Sequence, residues 1–149
     1  MLMQNVKEMT GLDKLTRMLR DNAPPAGISV PLNFSLETAQ DGHVTFTGTP
    51  LQDHVNPVGT VHGGWYGTLL DSCMACAILS RLPVETSYTT LEYKVNIIRP
   101  IPLGMPVRAT GLAQHVGRST GVASGEIRGI ADDRLYATGS TTCMVLPRP

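Results

Sequence analysis

The segment from His62 to Asp71, HGGWYGTLLD, sets one carboxylate inside an apolar run, two helical turns beyond a glycine pair. On a helix, Gly67, Thr68, Met74 and Ala75 share the face of Asp71, three and four residues away. Gly67, Thr68 and Ala75 are small, which leaves room beside the carboxylate for a ligand or a second backbone. No Lys or Arg stands within a turn to pair it, and burying an unpaired carboxylate is expensive. Asp71 lies too deep in the run to be an N-cap. The plainer reading is a structural aspartate bonded to a neighbouring N–H; the sharper one is a functional acid, because an oddly placed buried acid marks a site.

His62, Gly63 and Gly64 fall where that helix must begin. A helix start leaves backbone N–H groups unsatisfied, and with the dipole these suit a developing negative charge. The Gly63 N–H is therefore a candidate for polarising a carbonyl, while Gly64 lets a substrate approach closely; alternatively, the two glycines only permit a tight turn. Asn56 adds a side-chain amide in the same loop, with an Asx-turn before Pro57 as its ordinary role. His62 either orients the loop, touches substrate, or is simply hydrogen-bonded. Cys73 and Cys76 have the spacing of a redox or metal pair. Inside an apolar helix and without a second pair to complete a zinc site, they read as packing.

The elements around these residues follow from periodicity. Val6, Met9, Leu12, Leu15, Met18 and Leu19 recur at helical spacing and predict an amphipathic helix over residues 4–21, ended by NAPPAG at 22–27. Strands are expected at 28–38 and 43–50 around an Asp-Gly turn. The apolar helix runs from about Gly63 to Arg81. Period-two patterns then fill 87–101, 105–117, 119–130 and 134–146, broken at Pro102-Leu103-Gly104, Gly117-Arg118 and Asp132-Asp133. Helix, two strands, buried helix and four long strands describe an α+β domain whose curved antiparallel sheet wraps one central helix.

With 149 residues the chain is expected to form a single domain over 1–149, of which 1–27 are the N-terminal helix and linker. Apolar residues make up 42% and charged residues 16%, a low charge content that points to surface shared with other subunits. Acidic and basic residues balance at 12 each, without the basic stripe that nucleic-acid binding needs. The first twenty residues hold no long apolar span, so neither a secretory signal nor a membrane partner is expected. Three cysteines fit a reducing compartment, and the expected location is the cytoplasm.

Residues 54–77, HVNPVGTVHGGWYGTLLDSCMACA, followed by TTLEYKVNIIRPI, resemble the hotdog-fold thioesterases of the 4-hydroxybenzoyl-CoA and phenylacetate-pathway type. The shared pattern is Asn, His-Gly-Gly, Asp eight residues after the first glycine, then a strand ending Arg-Pro. The resemblance implies a hotdog fold, hydrolysis of an acyl-CoA substrate to free acid and CoA, homodimers or dimers of dimers, and no metal or other cofactor. By the same resemblance, Asp71 activates water or attacks the thioester, and Gly63 and Asn56 hold its oxygen. Thr90, counted back from Arg99-Pro100, matches a strand hydroxyl beside the acid. CoA phosphates need cations; Arg99, Arg118 and Arg128 are candidates, Arg118 first. Eight helical residues rise about 12 Å, whereas reacting groups meet at roughly 3–3.5 Å. Asn56 and Gly63 of one subunit are thus expected to face Asp71 of another. The alternatives are an acyl-CoA sensor, which has no need of the carboxylate, and a dehydratase or hydratase, which wants a His–acid pair that His62 and Asp71 do not form on one helix.

Overall fold

The computed structural model describes residues 8–23, 25 and 27–147. Along the chain come α1 (Gly11–Arg20), β1 (Phe34–Gln40), β2 (His43–Gly48), α2 (Gly63–Leu79), β3 (Thr86–Ile97), β4 (Val107–Val116), β5 (Thr120–Gly129) and β6 (Leu135–Pro147). The strands form one six-stranded sheet in the order β1-β2-β4-β5-β6-β3, antiparallel at every pairing. This is the expected α+β architecture, with α2 as the central helix.

Most of α2 is buried, including Trp65, Tyr66, Leu69, Leu70, Cys73, Met74, Ala77 and Ile78. It can lie flat on the sheet because Gly111, Gly125 and Gly139 stand in register across β4, β5 and β6. A Cβ on Gly111 would overlap the backbone carbonyl of Cys73, and one on Gly125 would come within 2.8 Å of the Met74 side chain. Leu70 and Met74 drop onto this bare strip, and Val107, Ala109, Ala123, Ile127 and Ala137 complete the core around it.

Two expected boundaries change. The first helix begins at Gly11, and residues 4–7 of the expected span lie outside the described residues. Thr10 is its N-cap: the Thr10 Oγ1 accepts from the Asp13 N–H at 3.1 Å, and the Asp13 carboxylate accepts from the Thr10 N–H at 3.0 Å. That reciprocal box starts a helix there. The first strand begins at Phe34 instead of residue 28. Gly27–Ser29 form a 3-10 turn, and Asn33 takes a left-handed φ of 53° while its side chain donates to the Thr49 carbonyl. Pro31 has no N–H for a ladder, and its carbonyl accepts from His54.

The glycine strip sets a stability test. Gly111→Val should cost at least about 3 kcal/mol, because the obstacle is backbone that cannot rotate aside, and should lower the thermal midpoint by roughly 6–12 °C. Gly27→Ala, which meets nothing within 4 Å, should stay within about 0.5 kcal/mol. Urea unfolding of both variants measures the contrast.

Candidate active site

The Asp71 side chain leaves α2 on its least buried face, in line with Gly64, Thr68 and Ser72. Its Oδ1 accepts a 3.0 Å hydrogen bond from Thr90 Oγ1 on β3. Thr90 faces inward beside a bulge at Thr90/Glu92, while Thr89 points out and is exposed. Pairing with β6 fixes this choice: Thr90 lies opposite Cys143, and its hydroxyl is 3.8 Å from the Cys143 sulfur. Burial pushes the Asp71 carboxyl up from its ordinary value, and the Thr90 bond pulls it part of the way back. Among the described residues no cation offsets the burial.

Asp71 and Thr90 border an open-sided cavity of about 810 Å³ lined by residues of α1, α2, β1, β2 and β3. Asn56, Gly63 and Arg99 border a different recess of about 290 Å³, walled by Tyr66 and Ile97. Among the described residues the Gly63 N–H has no acceptor, and Gly63 is exposed. Asn56 closes its own loop: its Oδ1 accepts from the N–H groups of Val58 and Thr60 at 3.1 Å, and its Nδ2 donates to Thr60 Oγ1 at 2.8 Å. One chain therefore keeps the acid and the free N–H in separate recesses.

The remaining expected residues divide by position. His62 is the N-cap of α2, and its Nδ1 accepts the Gly64 N–H at 2.8 Å, so that donor is spent within the helix start. One nitrogen of Arg99 donates to the Leu135 carbonyl at 2.6 Å. Arg118 is exposed in the β4–β5 turn, outside both recesses. Arg128 is tied to Glu126 at 2.8 Å and to the Asp133 carbonyl. Cys73 lies in the core and Cys76 is half-buried at the Asp71 cavity; burial raises both thiols, Cys76 to about 12. Such thiols stay protonated and inert.

Several contributors were not foreseen. Trp65 and Tyr66 turn inward. Trp65 Nε1 donates to the Leu32 carbonyl at 2.8 Å, and the Tyr66 hydroxyl accepts from the Ile101 N–H at 2.8 Å. His54, buried and stacked on Trp65, accepts from the Leu51 N–H through Nδ1 and so donates to Pro31 through Nε2. Tyr93 covers Gly67, where a Cβ would meet the ring at 3.1 Å. Helix α1 supplies a wall of the Asp71 cavity through Leu15, Met18 and Leu19. The apolar face of α1 was visible in sequence; its partner was not.

Residues 58–136 match the family model described as the thioesterase superfamily. A Caenorhabditis elegans protein named as an esterase is 30% identical over 94 residues, 63% of this chain, and the chain spans 55% of that protein's length. Human acyl-coenzyme A thioesterase 13 is 27% identical over 111 residues, 73% of this chain and 77% of that one. Among solved structures, a phenylacetic acid degradation-related protein of Ralstonia eutropha JMP134 superposes with a TM-score of 0.77 at 29% identity, covering 87% of this chain and 98% of that one. A thioesterase protein of Streptococcus pneumoniae, solved with coenzyme A, gives 0.69 at 26%, covering 78% and 88%. The chain belongs to the thioesterase superfamily and has its hotdog fold. Membership places it among thioester hydrolases.

The raised carboxyl of Asp71 has a consequence for stability. Its neutral form is favoured in the fold, so the benefit is complete below the unfolded value, about 3.9, and is lost as pH rises through the folded value. Asp71→Asn, permanently neutral, should therefore melt higher than wild type at pH 7, with the gap closing below about pH 4. Calorimetry at both pH values checks the sign.

Proposed function

We propose that this protein is an acyl-CoA thioesterase whose active site is shared between two subunits, with Asp71 as the reacting acid. The observation that carries the proposal is the carboxylate itself. It is half-buried, oriented by Thr90, unopposed by any cation among the described residues, and set at the border of a cavity. A carboxylate so placed is a better base than one in water, because desolvation favours taking up a proton.

In the general-base form of the reaction, Asp71 takes a proton from water as the oxygen attacks the thioester carbonyl carbon. The carbonyl π electrons move to oxygen, and the Gly63 N–H stabilises that oxyanion. The tetrahedral centre then collapses, the C–S bond breaks, and the CoA sulfur recovers the proton from Asp71. In the nucleophilic form, Asp71 attacks the same carbon, the C–S bond breaks to give an anhydride and CoA thiolate, and water then hydrolyses the anhydride, regenerating the Asp71 carboxylate and supplying the proton the thiolate takes up. Both forms place the acid and the oxyanion donor on opposite sides of one carbonyl.

Within one chain those groups are eight helical residues apart, about 12 Å of rise, and border different recesses. A second subunit removes the conflict. Strand β3 is a sheet edge of 12 residues that leaves Leu91, Tyr93 and Ile97 exposed, followed by Ile98. A long apolar edge is a ready pairing surface, and it runs between Thr90 at one end and the Gly63 recess at the other. Arg99 and Arg118 are the candidate cations for the CoA phosphates. Asn56 shapes the loop that presents Gly63. The free cysteines suit a reducing compartment and support a cytoplasmic location.

Asp71→Asn should lower kcat on the order of 10²-fold or more with the fold retained. Near-normal turnover by the folded variant would exclude this acid from the chemistry. Thr90→Val removes the bond that lowers the Asp71 carboxyl, so the acid limb of the kcat–pH profile should move to higher pH; an unmoved limb counts against Thr90 as its positioning residue. Co-refolded Asn56→Ala and Asp71→Ala chains test the shared site. If random pairing restores one intact site in each mixed dimer, activity should return to about a quarter of wild type. No recovery with mixed dimers present overturns the sharing.

A further inference from the structure

The cavity at Asp71 continues along α2 past Ala75 to Leu79, a span of about 12 Å. Its far walls are Leu15, Met18 and Leu19 of α1, Leu36 of β1 and Phe46 of β2. Among the described residues no Lys, Arg, His or Glu lines it, and Asp71 is the one carboxylate. Met18 and Leu19 remain 38% and 37% exposed although they face this space. Apolar side chains left so open gain burial when an apolar occupant fills the cavity.

We infer that this cavity receives a medium- to long-chain, uncharged aliphatic acyl group, and that Leu15, Met18 and Leu19 of α1 form the wall that sets the chain preference. The inference rests on the acyl-CoA reading above and deepens it. A volume of about 810 Å³ is of the size that encloses a whole drug-sized molecule. An acetyl or compact aromatic acyl group would leave much of it unfilled and lose contacts with the far walls. A terminal carboxylate or ammonium would be buried there without a partner. The direction fits as well: a thioester carbon at Asp71 lets the chain run along α2 beneath α1.

Two measurements on the intact protein test this independently. The first is kcat/KM for acetyl-, butanoyl-, octanoyl-, dodecanoyl- and phenylacetyl-CoA. The second is calorimetric binding of the non-hydrolysable thioethers ethyl-, octyl- and dodecyl-CoA. Both should favour the longer chains, by up to about fourfold per methylene while the cavity is filling. Leu19→Glu, which sets a charge in the wall at a partly exposed position, should reduce the dodecyl-to-ethyl affinity ratio at least tenfold. Met18→Trp, which narrows the space, should move the optimum to shorter chains.

A flat length profile in binding, a preference for phenylacetyl-CoA over octanoyl- and dodecanoyl-CoA, or unaltered ratios in both folded variants would overturn the inference. If thioesters are hydrolysed without regard to length, this inference falls and the thioesterase reading stands. If thioethers bind with the expected length dependence and no thioester is hydrolysed, the cavity assignment stands and the hydrolytic reading falls.

Discussion

Direct seating of α2 on the sheet is the constraint from which the rest of the molecule follows. Side chains normally hold a helix away from the strands beneath it. Here Gly111, Gly125 and Gly139 form a bare transverse strip, and the helix settles until Cys73 meets β4 backbone. The sheet then curves around the helix, which buries the residues on either side of its line of contact. The face that remains carries Gly64, Thr68, Asp71 and Ser72. The most polar strip of α2 is thus left to meet whatever approaches from the β3 edge.

Because the helix is held so closely, its lone acid sits at a boundary between core and opening. Full burial would neutralise it, and full exposure would give it the character of any surface aspartate. One hydrogen bond from Thr90 holds the oxygen in place, while Cys76, Tyr88 and Cys143 nearby carry groups whose own ionisation is suppressed by burial. The surroundings stay electrically quiet, so the carboxylate responds chiefly to what enters the cavity.

Much of this arrangement was legible in the chain. The Asp-Gly turn placed the β1–β2 hairpin, period-two alternation found the four later strands, and an acid without a cation singled out Asp71. Other features depended on distant residues. The T-x-x-D box at Thr10–Asp13 was present in the sequence, but helical periodicity running through it hid the start of α1. ISVPL has strand-forming residues, yet Pro31 and the left-handed Asn33 turn it into a loop anchored by His54 and Thr49. Thr89 and Thr90 are indistinguishable by type; only the register against Cys143 selects Thr90. The cavity wall from α1 could not be read, because an apolar stripe specifies that a helix will pack without saying against what.

The strand order also carries a temporal meaning. β3 leaves α2 early in the chain but pairs with β6, so that Thr86 lies opposite Pro147 and Thr90 opposite Cys143. Contacts between residues so far apart in sequence close late and slowly. Until β6 arrives, nothing holds the inward course of β3 in register, and Thr90 has no fixed place beside Asp71. During synthesis, α2 and its acid emerge well before the strand that completes their surroundings. The Thr90 bond that orients the acid is therefore held in register by a strand some fifty residues further along the chain.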